Sequence, residues 1–113
     1  MKKQLIKHTV LTRKEVIEIL REELPKLQGK YGVKRIILYG SFAKGTQKKK
    51  SDVDILVELR KPLGLKFLEL AEKFEEMLGR NVDITTYDHF KRSLENPKYK
   101  HIVENIRNSV IHV

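Results

Sequence analysis

Cysteine and tryptophan are both missing from this chain of 113 residues. The lack of cysteine excludes disulfides and thiolate metal sites, and it favours an intracellular setting. The four histidines share no spacing that is typical of metal ligands, so we assign none of them to a metal.

Long apolar runs are also lacking. No stretch approaches the length needed to span a membrane, and residues 1–8 do not have the apolar segment of a signal peptide. The chain is long enough to bury one core but little more. We therefore expect a single soluble, cytoplasmic domain over residues 1–113.

The charge is strongly unbalanced, with a formal net value of +9. Residues 1–50 hold fourteen Lys and Arg against four acids, whereas residues 51–113 hold ten against eleven. This asymmetry favours an anionic partner, whether a triphosphate, a nucleic acid or an acidic protein surface. For scattered lysines an ordinary solvated surface is the alternative.

The first half of the chain predicts one helix and two strands. A capping box at Thr12–Glu15 and apolar residues at three- and four-residue steps predict a helix up to Gly32. Pro25 should kink or interrupt it. The β-branched segments Lys34–Tyr39 and Asp52–Leu59 should be strands, paired antiparallel because they are close in sequence.

The second half predicts two helices around a third strand, and a final helix. A helix over residues 62–78 is long enough to cross the sheet, so a strand over residues 81–85 can pair in parallel. A short helix over residues 88–95 should follow, and a last amphipathic helix beyond Pro97 should include Val110. The expected fold class is α+β, a small mixed sheet with helices packed on one side.

One segment carries most of the functional information: Gly40-Ser41, ten residues, and then Asp52-Val53-Asp54. Two carboxylates two residues apart on a strand point to the same face. A Gly-Ser turn can bring N–H groups and a hydroxyl close to an anion. Oxygen ligands for Mg²⁺ beside such a turn are what nucleoside triphosphate chemistry requires. Taken singly, the acids fit the polar face of a half-buried strand, and the turn fits a plain strand exit.

These residues resemble the minimal nucleotidyltransferases of the DNA polymerase β-like superfamily, the type found as the antitoxin of HEPN/MNT toxin–antitoxin pairs. The resemblance is tight over Arg35–Leu59 and looser along nearly the whole chain. That family has a third acid in a later strand with an apolar-Asp-apolar pattern, and Val82-Asp83-Ile84 provides it. The resemblance implies the polymerase β-like nucleotidyltransferase fold.

The resemblance also implies roles for individual residues. Asp52, Asp54 and Asp83 would be the catalytic carboxylates and would hold two Mg²⁺ ions, while Gly40 and Ser41 would bind the triphosphate of ATP. For Asp83 the alternatives are an acid at the strand edge that faces water, and replacement in its role by Asp88.

Lys44 stands where relatives often carry arginine, so it could neutralise triphosphate charge as a point cation without bidentate geometry. The lysine run over residues 48–50 is either a solvated loop tip or a contact for a polyanion.

The implied activity is transfer of AMP from ATP to a hydroxyl, with release of pyrophosphate. A chain of this size has no room for an acceptor domain, so another molecule should present the acceptor. The resemblance implies that the acceptor is a tyrosine of a HEPN-family toxin, and that the chain forms a complex with this toxin.

Three alternatives stay open: a nucleotidyltransferase that acts on a small molecule or RNA end, a non-catalytic antitoxin that occludes its partner, and a simple nucleic-acid binder. The last leaves the three aspartates unexplained, and neither nucleic acid nor a membrane is expected as a direct partner.

Overall fold

The computed structural model describes residues 11–48, 50–100, 104 and 110–113. The elements in chain order are α1 (Arg13–Tyr31), β1 (Val33–Tyr39), α2 (Gly40–Lys44), β2 (Val53–Leu59), α3 (Lys66–Leu78), β3 (Val82–Thr86), α4 (Tyr87–Ser93), a 3-10 turn (Pro97–Tyr99) and β4 (Val110–His112). In the described part of the chain, none of the helices combines the length and the apolar character that a membrane span needs.

The capping box at the start of α1 is confirmed. The Thr12 hydroxyl accepts a hydrogen bond from the Glu15 N–H at 3.0 Å, and the Glu15 carboxylate accepts one from the Thr12 N–H at 2.9 Å. The helix runs through Pro25 without interruption. Leu20 and Leu27, on either side of the proline, are buried in one core, and their burial outweighs the lost backbone hydrogen bond.

The sheet has the strand order β3-β2-β1-β4. The antiparallel pairing of β1 with β2 and the parallel pairing of β2 with β3 are both as predicted. The structure corrects the predicted last helix, because Val110 belongs to β4 and not to a helix. The segment around Val110 contains β-branched residues, and it extends the sheet by pairing antiparallel with β1. Residues 101–103 and 105–109 of the expected last helix lie outside the described residues.

The second long helix begins at Lys66, later than the predicted start at residue 62. Gly64 has a φ of +60°, which is the left-handed region and cannot belong to an α-helix. The loop before α3 therefore extends to Leu65.

Two apolar clusters lie on opposite faces of the sheet. The larger cluster joins α1 and α3 to one face, and its largest fully buried members include Leu20, Leu38, Phe42, Ile55 and Phe74. The smaller one, on the other face, contains Ile37, Tyr39 and Leu56 with Tyr87 and Phe90 packed against them. The α+β class with a small mixed sheet is confirmed, with both long helices on one side. The short helix α4 lies on the other side, where Tyr87 and Phe90 pack against the smaller cluster.

Candidate active site

The acidic residues meet because of the register of three strands. Asp54 of β2 lies directly opposite Asp83 of β3 in the parallel pair, and opposite Tyr39 of β1 in the antiparallel pair. Val53 and Ile55 face the large core, so Asp54 points to the other face. Since Gly40 follows Tyr39 directly, the Gly-Ser turn and two of the predicted carboxylates lie at one end of the sheet. Asp52, which is exposed, just precedes β2.

Gly40 has two structural reasons to be glycine. Its φ of +74° is left-handed, and a β-carbon added to it would lie 2.1 Å from the Asp54 Oδ2 atom. The Asp54 carboxylate therefore rests against the Gly40 backbone, in space that any side chain would fill. From the sequence, we expected Gly40 only to let a phosphate come close to the backbone.

The electrostatics of the site are clearest at Asp54. Burial, together with the nearby charges of Asp83 and Asp52, raises the pKa of Asp54 from 3.8 to about 6. The Asp54 side chain is only half-buried, so the fold raises the free energy of its ionised form but does not prevent ionisation. A cation placed among these carboxylates would remove the repulsion.

The donor set fits Mg²⁺ as a site completed by substrate. Within the residues that the structure describes, no three acidic or histidine side chains are close enough to form a ready-made metal cage. Mg²⁺ usually takes one or two carboxylates, keeps waters and binds substrate phosphates, so it does not require such a cage. The raised pKa of Asp54 and the absence of a ready-made cage among the described residues are compatible, because repulsion between carboxylates acts over longer distances than a metal–oxygen bond.

Ser41 and Lys44 lie on the short helix α2, three residues apart and so on the same side of it. Ser41 is half-buried and Lys44 is exposed. Lys48 and Lys50, at the loop tip, are also exposed, and residue 49 lies outside the described part of the chain.

Asp88 does not join the acidic group. It lies on α4, beyond the end of β3, and lines a cavity of about 440 Å³ with Leu59, Phe67 and Arg92. That cavity is at the opposite ends of β2 and β3 from Asp54 and Asp83. The structure therefore places Asp83, and not Asp88, beside Asp54.

Tyr39 is a neighbour of the site that sequence reasoning treated only as a strand residue. Burial raises the pKa of its hydroxyl, a hydrogen bond with the Thr85 side chain opposes this, and the charges of Asp83 and Asp54 add to the rise. The hydroxyl is therefore neutral beside the acids. The signal in the sequence was the position of Tyr39 directly before Gly40. Side chains alternate between the two faces of a strand, and this alternation places Tyr39 on the same face as Asp54.

Two arginines hold the loop segments around the site. Arg13 Nη1 donates to the Ala43 carbonyl of α2 at 3.1 Å. Arg80 Nη1 donates to the Ser51 carbonyl at 2.9 Å, and its guanidinium lies 5.5 Å from the centre of the Phe42 ring. Neither contact could be foreseen from spacing, because each joins segments far apart in sequence.

Known proteins of similar sequence cover most of this chain. Residues 13–111 match the family described as "Nucleotidyltransferase domain". A Methanocaldococcus jannaschii protein with the name "Putative protein adenylyltransferase" is 43% identical over 96 residues, which cover 82% of this chain and 92% of that protein. Protein adenylyltransferase MntA of Thermococcus cleftensis is 36% identical over 95 residues, covering 83% and 96%.

Solved structures give the same picture. A structure described as a "putative minimal nucleotidyltransferase" matches with a TM-score of 0.61 and 28% identity, over 86% of this chain and 92% of that one. A chain from a crystal structure of a "toxin-antitoxin with AMP-PNP" matches with a TM-score of 0.55 and 25% identity, over 90% and 72%. With the acidic strand pair and the Gly-Ser turn in this arrangement, the chain belongs to the nucleotidyltransferase domain family and is an enzyme of its minimal type.

Proposed function

We propose that this protein transfers AMP from ATP to a tyrosine hydroxyl of a HEPN-family toxin and acts as its antitoxin. The observation that carries the proposal is the in-register pair of Asp54 and Asp83, with the Asp54 carboxylate seated against Gly40. Relatives named protein adenylyltransferase, and a similar fold in a toxin–antitoxin crystal structure with AMP-PNP, support ATP and a toxin as substrates.

Asp52, Asp54 and Asp83 would hold Mg²⁺, with two ions in the complete complex. When bound, Mg²⁺ neutralises triphosphate oxygens and increases the acidity of the acceptor hydroxyl. Asp54, with a pKa of about 6, is mostly ionised at neutral pH and so available as a ligand. Competition between a proton and the cation at this carboxylate makes cation affinity fall in mild acid.

Ser41 and Lys44 would bind the triphosphate from the same side of α2, the serine through its hydroxyl and the lysine as a point charge. Their task is to keep the α-phosphorus in line with the incoming oxygen.

In the transfer step the acceptor oxygen forms a bond to the α-phosphorus while the bond from that phosphorus to the pyrophosphate oxygen breaks. The acceptor proton passes to Asp83, which is exposed and therefore reachable from a second protein. Pyrophosphate leaves, and AMP stays on the acceptor as a phosphodiester. A tyrosine suits this step because its pKa, near 10, is lower than that of an aliphatic hydroxyl.

The test uses the full chain, Mg-ATP and a purified HEPN-family protein as the partner. Intact mass spectrometry of that partner should show one or more added AMP units, and peptide fragmentation should locate them on tyrosine. Asp54→Asn should abolish the added mass, whereas Asp88→Asn, beside the cavity at the other end of β2 and β3, should leave it unchanged.

Two outcomes would contradict the proposal. A partner that is bound and neutralised without a change in mass would identify an antitoxin that acts by occlusion. Label from ATP that appears on RNA or a small molecule, and not on the partner, would identify a different acceptor.

A further inference from the structure

Arg80 contacts each of the chain segments that form the acidic site. It follows Gly79, which ends α3, and it precedes Asp83 by three residues. Its Nη1 atom donates to the carbonyl of Ser51, the residue before Asp52, at 2.9 Å. Its guanidinium lies over the ring of Phe42, the residue after Ser41. One side chain therefore joins the Gly-Ser turn, the Asp52–Asp54 segment and the entry to β3.

The contact at Ser51 fixes the segment that leads into β2. The Ser51 N–H donates to the Lys48 carbonyl at 3.0 Å and the Lys48 N–H donates to the Ser51 hydroxyl at 2.8 Å, so the tip of the loop closes on itself. Among the described residues, Arg80 attaches this segment to the rest of the protein, and so does the Val53 N–H, which donates to the Asn81 carbonyl at 3.1 Å. Asp52 lies between these two attachments.

The contact at Phe42 is with a residue that is fully buried. A planar guanidinium can stack on such a ring and at the same time donate hydrogen bonds in fixed directions, which an ammonium group cannot do. Arginine is therefore the residue type that can satisfy both contacts at once.

We propose that Arg80 is a positioning residue, which aims the Asp52 carboxylate and the Gly40-Ser41 turn at the same bound Mg-triphosphate. This inference rests on the proposed function, because it assumes that these two segments bind the nucleotide. Arg80 acts through Ser51 and Phe42, so its loss should weaken Mg-nucleotide binding more than it weakens the fold.

The test compares Arg80→Lys and Arg80→Gln with wild type, with Arg21→Gln as a control for loss of an exposed positive charge on α1. Calorimetry with AMP-PNP should show affinity in MgCl₂ reduced about 10- to 100-fold in both Arg80 variants, the range expected for loss of one charge-assisted hydrogen bond. The Mg²⁺ concentration for half-maximal AMP transfer should rise. Arg21→Gln should change neither quantity.

Hydrogen exchange gives a readout that is independent of nucleotide and of activity. In Arg80→Lys the amides of residues 50–53 should exchange faster, whereas those of Val16–Leu27 in α1 should keep the wild-type rate. If Arg80→Gln does not fold, the lysine variant, which retains the charge, carries the comparison.

Unchanged AMP-PNP affinity and Mg²⁺ dependence in folded Arg80 variants would overturn the inference. So would a loss of activity that only follows the lost fraction of folded protein, because this would assign Arg80 to stability alone. A wild-type protein that neither binds Mg-AMP-PNP nor transfers AMP would instead refute the proposed function, and the exchange comparison would still report whether Arg80 anchors the loop.

Discussion

Replacing Asp54 by asparagine should stabilise the metal-free protein while it abolishes AMP transfer. The change removes a carboxylate that folding moves from water to a half-buried position beside two other acids, and it preserves the shape of the side chain. The amide carries no charge, so it escapes both the desolvation and the repulsion. The free energy of unfolding should therefore increase.

The magnitude follows from the pKa of Asp54, which is 3.8 ordinarily and about 6 in the fold. Each pKa unit corresponds to about 1.4 kcal/mol, so the upper figure is about 3 kcal/mol at neutral pH. Solvent screens part of this because the side chain is only half-buried, and we expect about 1–2 kcal/mol. With a urea m-value of about 1–3 kcal/mol/M, the unfolding midpoint should rise by roughly 0.3–2 M.

The assay is urea unfolding in EDTA at about pH 7.5 and again at about pH 4.5, because the difference between the two proteins should shrink as wild-type Asp54 becomes protonated. Added Mg²⁺ should stabilise wild type and not the variant. Asp88→Asn is the control and should change the midpoint little at either pH. If Asp54→Asn were less stable than wild type in EDTA at the higher pH, the fold would favour the carboxylate, and the reasoning would be refuted.

The remaining predictions concern pH, the glycine turn and the third acid. Since the folded state raises the pKa of Asp54, the unfolding free energy of metal-free wild type should fall as pH rises from 3.8 to about 6 and then level off, measured by urea titration. Gly40→Ala should lose AMP transfer and at least about 1–2 kcal/mol of stability, through left-handed strain and a clash with Asp54. Gly79→Ala, also left-handed but in open space, should show the strain without the loss of transfer. Asp83→Asn should slow transfer roughly a thousandfold, yet bind Mg-AMP-PNP almost normally by calorimetry. An equal loss of binding would assign Asp83 to capture of the triphosphate.

Local signals predicted most of the fold. The capping box at Thr12–Glu15, the β-branched strands and the helical crossover between β2 and β3 depend on neighbouring residues, and each is found in the structure. Two of the failures arose from non-local effects. Burial on both sides of Pro25 kept α1 continuous, and pairing with β1 drew Val110 into a strand.

For the site, the sequence predicted which residues to consider, but not how they are arranged. The spacing from Gly40 to Asp54 indicated which residues to bring together, but the register that sets Asp54 opposite Asp83 depends on how the chain crosses the sheet. The contact of the Asp54 carboxylate with the Gly40 backbone, and the two contacts of Arg80, are products of packing between distant segments. No sequence pattern encodes them.

The parallel pairing of β2 with β3 has a consequence for the order in which the chain folds. β1 and β2 are joined by a short connection and can pair early, whereas β3 reaches β2 only after α3 has crossed the sheet. We therefore expect Asp83 to reach Asp54 late, so that the repulsion between their carboxylates acts on a late step. Contacts that are absent from the folding transition state change the unfolding rate and leave the folding rate almost unaltered. A divalent cation at this acidic pair should therefore lengthen the lifetime of the folded state without making the chain fold faster.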